Sequence, residues 1–183
     1  MKMFKKLMAI ALAGVMALAI LTGCGSSLNE KELIKQMNDQ LTVNSMVNSS
    51  YKGFKEFKAD KEMDAKAATI AKKVAEKAKT QVEIKTVLAS DEMKEIVLGK
   101  DDTNVYMVSY VKSVSFGSKY YKTNKDSIDL SVIENNATRY YDSTALVGRE
   151  TKDAVVGVGF ADVTVGDSVY TIVVMKVPTQ KKA

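Results

Sequence analysis

The only cysteine of the chain, Cys24, directly follows a basic and then apolar N-terminal segment. Lys2, Lys5 and Lys6 precede an almost unbroken apolar run over 7–21, and this order is typical of a secretory signal. The run is shorter than the about 20 residues that a membrane-spanning helix needs. Since one cysteine cannot form an internal disulfide, the folded part must draw its stability from a hydrophobic core.

The residues Leu21-Thr22-Gly23-Cys24 resemble a bacterial lipobox. The resemblance implies that the signal over 1–23 is cut off before Cys24. It also implies that a diacylglycerol is attached to the cysteine sulfur and that the new N-terminus is acylated, typically with palmitate. Each buried methylene of an acyl chain contributes about 0.8 kcal/mol. We therefore expect a lipid-anchored protein on the extracytoplasmic face of the cell membrane, with residues 24–28 as a tether. The alternatives are an uncleaved anchor and a plain secretory signal with an incidental cysteine.

Removal of the signal takes away most of the chain's positive charge. The 183 residues carry a formal charge of +5, and the 160 residues after the signal carry +2, because 1–23 holds three lysines and no acidic residue. Arg139 and Arg149 are the only arginines. Nucleic acid is not an expected partner, since it requires clustered cationic side chains on one face. The lysines suit an anionic lipid or a cell-wall polymer, and a protein ligand is also open.

The chain contains no histidine. This excludes Ser-His-Asp and Cys-His catalytic units, and also zinc or haem bound through imidazole. The sequence predicts neither a cofactor nor a metal site.

Residues 29–178 are expected to form one domain, followed by a tail over 179–183, because no Gly/Ser/Pro-rich linker divides them. Leu33, Met37 and Leu41 recur every four residues and predict a first helix that begins near Asn29. A second helix is predicted over 60–79 from apolar residues at helical spacing, which are Met63, Ala67, Ile70, Ala71, Val74 and Ala78. No heptad run is long enough for a coiled coil, so the sequence predicts no oligomeric state.

Strand patterns dominate the second half of the chain. Strands are predicted over 82–89, 104–116, 154–165 and 169–177, and Gly166-Asp167 joins the last two in a hairpin. The stretch 91–98 fits either a short helix capped by Ser90 or part of a hairpin. Helices followed by mostly antiparallel strands indicate the α+β class.

Several stretches resemble CAP domains, the superfamily of cysteine-rich secretory, antigen 5 and pathogenesis-related proteins. They are Asn48 with 53–60 and Ala67-Ala68, then Tyr140-Tyr141-Asp142-Ser143, and finally 156–161 with Tyr170 and 172–177. The resemblance implies a three-layer α-β-α sandwich with a mostly antiparallel sheet, N-terminal helices and a C-terminal hairpin.

The chain departs from the family at its metal site. CAP domains often carry two histidines and two acidic residues in a central cleft, and here Leu146 stands near the second histidine position. We expect a ligand cleft without metal that contains Tyr140, Tyr141, Ser143, Leu146 and Arg149. In each of the pairs Tyr120-Tyr121 and Tyr140-Tyr141, one ring should point inward and the other outward. The predicted function is a non-catalytic binding or interaction module.

Two other functions are open. A carboxylate-dependent hydrolase of cell-wall or glycan substrates needs two facing acids, one with a raised pKa. The candidates are Asp91, Glu92, Asp101, Asp102, Glu134, Asp142 and Glu150. A solute-binding lipoprotein usually has two lobes, for which 160 residues is short.

Overall fold

A computed structural model describes residues 30–47, 51–99, 102–113 and 128–182. Its helices are α1 (Glu30–Val47), α2 (Lys61–Lys77), α3 (Gln81–Leu88), α4 (Asp91–Val97) and α5 (Leu130–Asn136). Its strands are β1 (Phe54–Ala59), β2 (Val105–Ser113), β3 (Thr138–Tyr140), β4 (Arg149–Glu150), β5 (Ala154–Val165), β6 (Ser168–Val177) and β7 (Gln180–Lys181). The predicted α+β class is confirmed.

Five of the described strands form one mixed sheet in the order β1-β5-β6-β2-β3. β1 lies parallel to β5, whereas β5 with β6, β6 with β2, and β2 with β3 are antiparallel. A separate small sheet pairs β4 with β7, so residues 180–181 of the predicted tail take part in a strand pair. No described helix is long and apolar enough to cross a membrane.

Most of the predicted elements are present. The apolar residues that recur at helical spacing lie on α1 and α2 and are buried. The predicted C-terminal hairpin is formed by β5 and β6, which pair from Val165 and Ser168 onward. β2 covers 105–113 of the predicted strand over 104–116. Several predicted features lie outside the described residues, namely the signal, Cys24 with the tether, Asn29, Asn48, Asp101 and Tyr120-Tyr121.

The strand predicted over 82–89 is wrong, because this segment forms α3. A capping box starts the helix, in which Thr80 Oγ1 accepts the Glu83 N–H and the Glu83 carboxylate accepts the Thr80 N–H. Ile84, Val87 and Leu88 are buried on one face. Of the two alternatives for 91–98, the short helix is the one observed: α4 spans Asp91–Val97, and Ser90 stands at its N-cap position without a side-chain capping hydrogen bond.

The side chains of the central strands alternate between two hydrophobic clusters. Val108 and Ile172 pack with α2, α3 and α4 on one face of the sheet, called here the α2 face. Met107 and Val173 pack with α1 and α5 on the other face, called the α1 face. Because neighbouring strand residues point to opposite faces, one sheet supports both clusters and helices cover both of its faces.

Two glycines of β5 make room for the start of α2. A Cβ atom on Gly159 would lie 2.1 Å from the backbone nitrogen of Asp64, and one on Gly157 would lie 2.5 Å from the Asp60 carboxylate. These distances are far below van der Waals contact. The Asp60 N–H donates to the Val158 carbonyl at 3.0 Å, and the Asp60 side chain caps α2. The Gly-Val-Gly sequence is therefore required by helix packing.

The outer edge of β1 is covered by one side chain of α1. The Asn38 amide donates to the Phe57 carbonyl at 3.0 Å and accepts the Phe57 N–H at 2.8 Å. Asn38 thus takes the place of a further strand at Phe57. Gln40 also ties α1 to the segment before α5, because its amide bonds the carbonyl of Ile128 and the N–H of Leu130.

Candidate functional site

An open cleft of about 440 Å³ lies where the junction between α3 and α4 faces β3. This volume is within the range of small-molecule and peptide sites. The lining residues come from two stretches about 50 residues apart. They are Ala89, Ser90, Asp91 and Lys94 on the helical side, and Thr138, Arg139, Tyr140, Tyr141 and Ser143 on the strand side.

The two adjacent tyrosines have different roles in the cleft. Tyr140 is buried on the α2 face, and its hydroxyl donates to the Leu88 carbonyl at the end of α3. Burial raises the pKa of Tyr140 to about 12, so this phenol stays protonated at neutral pH. Tyr141 is 48% exposed. Tyr140 therefore joins the helical side to the strand side, while the Tyr141 ring is exposed, so one ring points inward and the other outward as the alternation predicted.

A tight turn after β3 positions Tyr141 and Ser143 at the cleft. The Asp142 carboxylate accepts the N–H groups of Thr144 at 2.8 Å and Ala145 at 3.2 Å. The Asp142 carbonyl accepts the Leu146 N–H at 3.1 Å. An aspartate that bonds the backbone two residues ahead is a common way to stabilise a turn, so Asp142 is occupied by this structural role.

Charged side chains of both signs line the cleft. The Arg139 guanidinium is paired with the Glu134 carboxylate. Lys94 and Asp91 lie on α4, and no residue that the structure describes forms an ion pair or a side-chain hydrogen bond with either of them. The cleft thus presents one cation and one anion that are available to a ligand.

The structure brings together three of the five residues predicted to line the cleft, which are Tyr140, Tyr141 and Ser143. Leu146 and Arg149 do not line it. Arg149 lies in β4, where its guanidinium donates to the Thr179 hydroxyl at 2.8 Å and to the Thr179 carbonyl at 2.6 Å. Pairing with β7 draws Arg149 into the small sheet and away from the cleft.

Sequence reasoning did not assign the helical side to the cleft, although Asp91 was among the candidate carboxylates and 91–98 was one possible helix. Ala89, Ser90, Asp91 and Lys94 carry no motif, and the strand predicted over 82–89 hid the turn between two helices. The Thr80-Gln81-Val82-Glu83 capping box was the available signal, because it starts a helix that ends just before Ala89. Nothing local to 89–94 indicates that this turn faces β3.

Among the candidate carboxylates that the structure describes, no second one lines the cleft beside Asp91. Asp91 is the one acidic residue among the described lining of the cleft. Glu92 bonds Lys73 and Lys77, and these hydrogen bonds lower the pKa of Glu92. Asp102 accepts hydrogen bonds from Tyr106 and Asn104, and Glu134 pairs with Arg139. Asp142 stabilises its turn, and Glu150 lies in β4.

Two carboxyl groups with a raised pKa lie away from the cleft. Burial, followed by the charge of Asp64, raises the pKa of Glu30. Burial also raises the pKa of Asp64, whose carboxylate accepts the Phe160 N–H at 3.2 Å. Within the described part of the chain, no three cysteine, aspartate or glutamate side chains come close enough to hold a metal ion.

Comparison with known proteins finds no relative. No family model matches the chain, and neither a curated protein nor a solved structure matches it.

Proposed function

We propose that the protein is a membrane-anchored extracytoplasmic lipoprotein whose domain binds a ligand in the cleft and does not catalyse a reaction. The composition of the cleft carries this proposal. Tyr141 supplies an exposed ring, Ser143 a hydroxyl, and Lys94 and Asp91 opposite charges. These groups suit recognition, whereas acid–base hydrolysis needs a second carboxylate beside Asp91.

The place where the chain enters the domain supports an accessible cleft. α1 begins six residues after Cys24, and Asn38 attaches it to β1. β1 and β3 are the two outer strands of the sheet. Four strand spacings separate these edges by about 19 Å. A lipid anchor at Cys24 would hold the domain by the β1 side and leave the cleft at the opposite edge.

The CAP resemblance contributes less to the proposal than the cleft does. Gly157 and Gly159 are explained by the approach of α2 to β5, so this part of the motif needs no shared ancestry. Leu146 stands near the family's second histidine position but does not line the cleft. A histidine-less CAP-like domain stays a prediction about the fold's origin.

Lipidation is tested with Cys24→Ser in the full chain, expressed in a bacterial host that is fed labelled palmitate. The unchanged chain should incorporate the label and sediment with membranes, whereas Cys24→Ser should not incorporate the label, because it lacks the sulfur that would carry the diacylglycerol. Ser26→Ala serves as a matched control and should behave as the unchanged chain does. Equal labelling of all three proteins would contradict the anchor.

Ligand binding at the cleft is tested with a panel of peptides, muropeptides and an anionic cell-wall polymer, by the rise in melting temperature of the full chain. Ala89→Trp should fill the cleft and abolish the rise that a true ligand causes. Val82→Trp is a matched control, because Val82 is 77% exposed on α3 and does not line the cleft. A rise that survives Ala89→Trp would place the ligand elsewhere.

A further inference from the structure

The outer edge of β3 is the second edge of the sheet. β3 pairs on its inner side with β2, with Thr138 opposite Val108, Arg139 opposite Met107 and Tyr140 opposite Tyr106. In an antiparallel pair, successive residues alternate between bonding the partner and pointing their N–H and C=O groups away from it. At least one residue of β3 therefore offers both backbone groups to the outer edge. In the part of the chain that the structure describes, no strand or side chain bonds them.

The two edges of the sheet differ in whether a side chain covers their backbone N–H and C=O groups. The β1 edge is covered by the Asn38 amide, as expected for an edge that must not pair with other chains. The β3 edge has no such cover among the described residues. All three residues of β3 line the cleft instead.

The cleft has the shape and chemistry of a groove beside an exposed strand. β3 forms one wall, and Ala89 and Ser90 at the junction of α3 and α4 form the other. Three strand residues extend over about 10 Å. Tyr141 continues the wall beyond β3, and Lys94 and Asp91 add both signs of charge. An extended peptide uses such a site by bonding its backbone to the strand and placing alternate side chains in the groove.

We propose that the cleft binds an extended peptide segment, which pairs with the outer edge of β3 as an additional strand. The inference rests on the proposed binding function and names the class of its ligand. The bonds to β3 are to the peptide backbone, so they contribute affinity that does not depend on the sequence of the peptide. The sequence preference comes from Tyr141, Lys94 and Asp91, which meet alternate side chains of the peptide.

The first test selects binders from a phage-displayed library of random dodecapeptides on the full chain in detergent. Selected peptides should lose about tenfold or more in affinity with Ala89→Trp, and also with Ser143→Trp, while Val82→Trp should leave affinity unchanged. Two different groove substitutions keep the test valid if one of them disturbs folding, which circular dichroism reports. A selection without groove-dependent binders would overturn the inference.

The second test methylates each backbone nitrogen of a selected peptide in turn. Backbone pairing to β3 predicts that the positions whose N–H groups face β3 lose about tenfold or more in affinity, while the positions directly before and after each of them lose little. Uniform losses, or no loss at any position, would overturn the inference.

The two proposals fail in distinguishable ways. If muropeptides or the anionic polymer bind and Ala89→Trp blocks them, while no peptide does so, the binding function stands and the peptide inference is wrong. If no probe depends on the groove, both are wrong. If sedimentation shows that the full chain dimerises and Ser143→Trp makes it monomeric, the edge pairs with a second copy, and the peptide inference is again wrong.

Discussion

Single residues decide how closely α2 lies on the sheet. Gly159 meets the backbone of Met63 and Asp64, where a Cβ atom would lie 2.1 Å from the Asp64 nitrogen. Tyr140 joins β3 to the end of α3 through its hydroxyl. Both residues act through contacts with distant parts of the chain, so their importance is visible only in the folded state.

Gly159→Ala should lower the free energy of unfolding by about 3 kcal/mol or more, because the methyl group collides with backbone that cannot move without displacing α2. Gly99→Ala is the control, since its Cβ would lie 3.6 Å from the Asp102 carboxylate, an ordinary contact. Urea unfolding of the full chain measures both. Similar midpoints for the two variants would contradict the close approach of α2.

Tyr140→Phe should lower the free energy of unfolding by about 1–3 kcal/mol at neutral pH, because it leaves the buried Leu88 carbonyl without its donor. The folded chain keeps the Tyr140 proton up to a pKa of about 12, whereas the unfolded chain releases it at about 10. The unfolded state therefore binds fewer protons in this window, and the free energy of unfolding falls as the pH rises through it.

The free energies of unfolding of Tyr140→Phe and of the unchanged chain should consequently become more similar above pH 10. Urea unfolding at several pH values measures this. The free energy of unfolding of Tyr140→Phe should still fall somewhat with rising pH, because burial also raises the pKa of Tyr51 and Tyr106. At neutral pH, Tyr141→Phe should leave the free energy of unfolding unchanged, since Tyr141 is exposed. A constant difference at all pH values would sink the interpretation.

Among the elements, α3 shows how a local pattern is misread. Val82, Ile84 and Thr86 alternate as a strand would, but the capping box at Thr80 and Glu83 starts a helix. Ile84 and Leu88 then fall on one buried face, and Val82 is left 77% exposed. The helix α1, in contrast, was predicted correctly from its apolar residues. The role of Asn38, a polar residue within it that bonds β1, is not revealed by the periodicity.

Asn38→Ala should lower the free energy of unfolding by about 1–3 kcal/mol, because both backbone groups of Phe57 lose their partner. The uncovered β1 edge should also make the chain associate as its concentration rises. Sedimentation and urea unfolding measure the two effects.

Asp39→Ala is the matched control for Asn38→Ala. Asp39 forms an exposed pair with Lys35 at 2.6 Å, and such pairs contribute less than about 1 kcal/mol. Equal effects of the two substitutions would show that Asn38 does not cover the edge.

At the scale of the whole molecule, one sheet holds two hydrophobic clusters together. The strands β2 and β6 contribute alternate residues to both clusters. If β2 and β6 separate from the helices on one face, the apolar residues of the other cluster also lose their support. The two clusters should therefore unfold as one cooperative unit.

Ile70→Val on the α2 face and Ile133→Val on the α1 face should each lower the free energy of unfolding by about 1 kcal/mol. Both should shift the same single transition. Circular dichroism and tyrosine fluorescence, followed in urea, should give coincident curves. Two separated transitions, each sensitive to one of the substitutions, would show that the clusters unfold independently.

The sequence by itself determined the features that depend on neighbours along the chain. The stripes of α1 and α2 and the hairpin of β5 and β6 follow from which side chains recur at helical or strand spacing, and burial confirms them. The absence of histidine and the single cysteine exclude imidazole chemistry and an internal disulfide regardless of fold. The resemblance of residues 21–24 to a lipobox predicts an anchor on the same local basis, and this stays a prediction.

Only the tertiary structure determined which residues line the cleft. Tyr140, Tyr141 and Ser143 were predicted as cleft residues from a resemblance, whereas Lys94 and Asp91, which was predicted only as a candidate carboxylate, line the cleft because β3 lies against the junction of α3 and α4. Arg149, close to Ser143 in sequence, lies outside the cleft since β4 pairs with β7, and Leu146 lies in the turn after Asp142, also outside the cleft. Periodicity reports which side of an element is buried, but contacts between stretches about 50 residues apart depend on how the whole sheet is assembled.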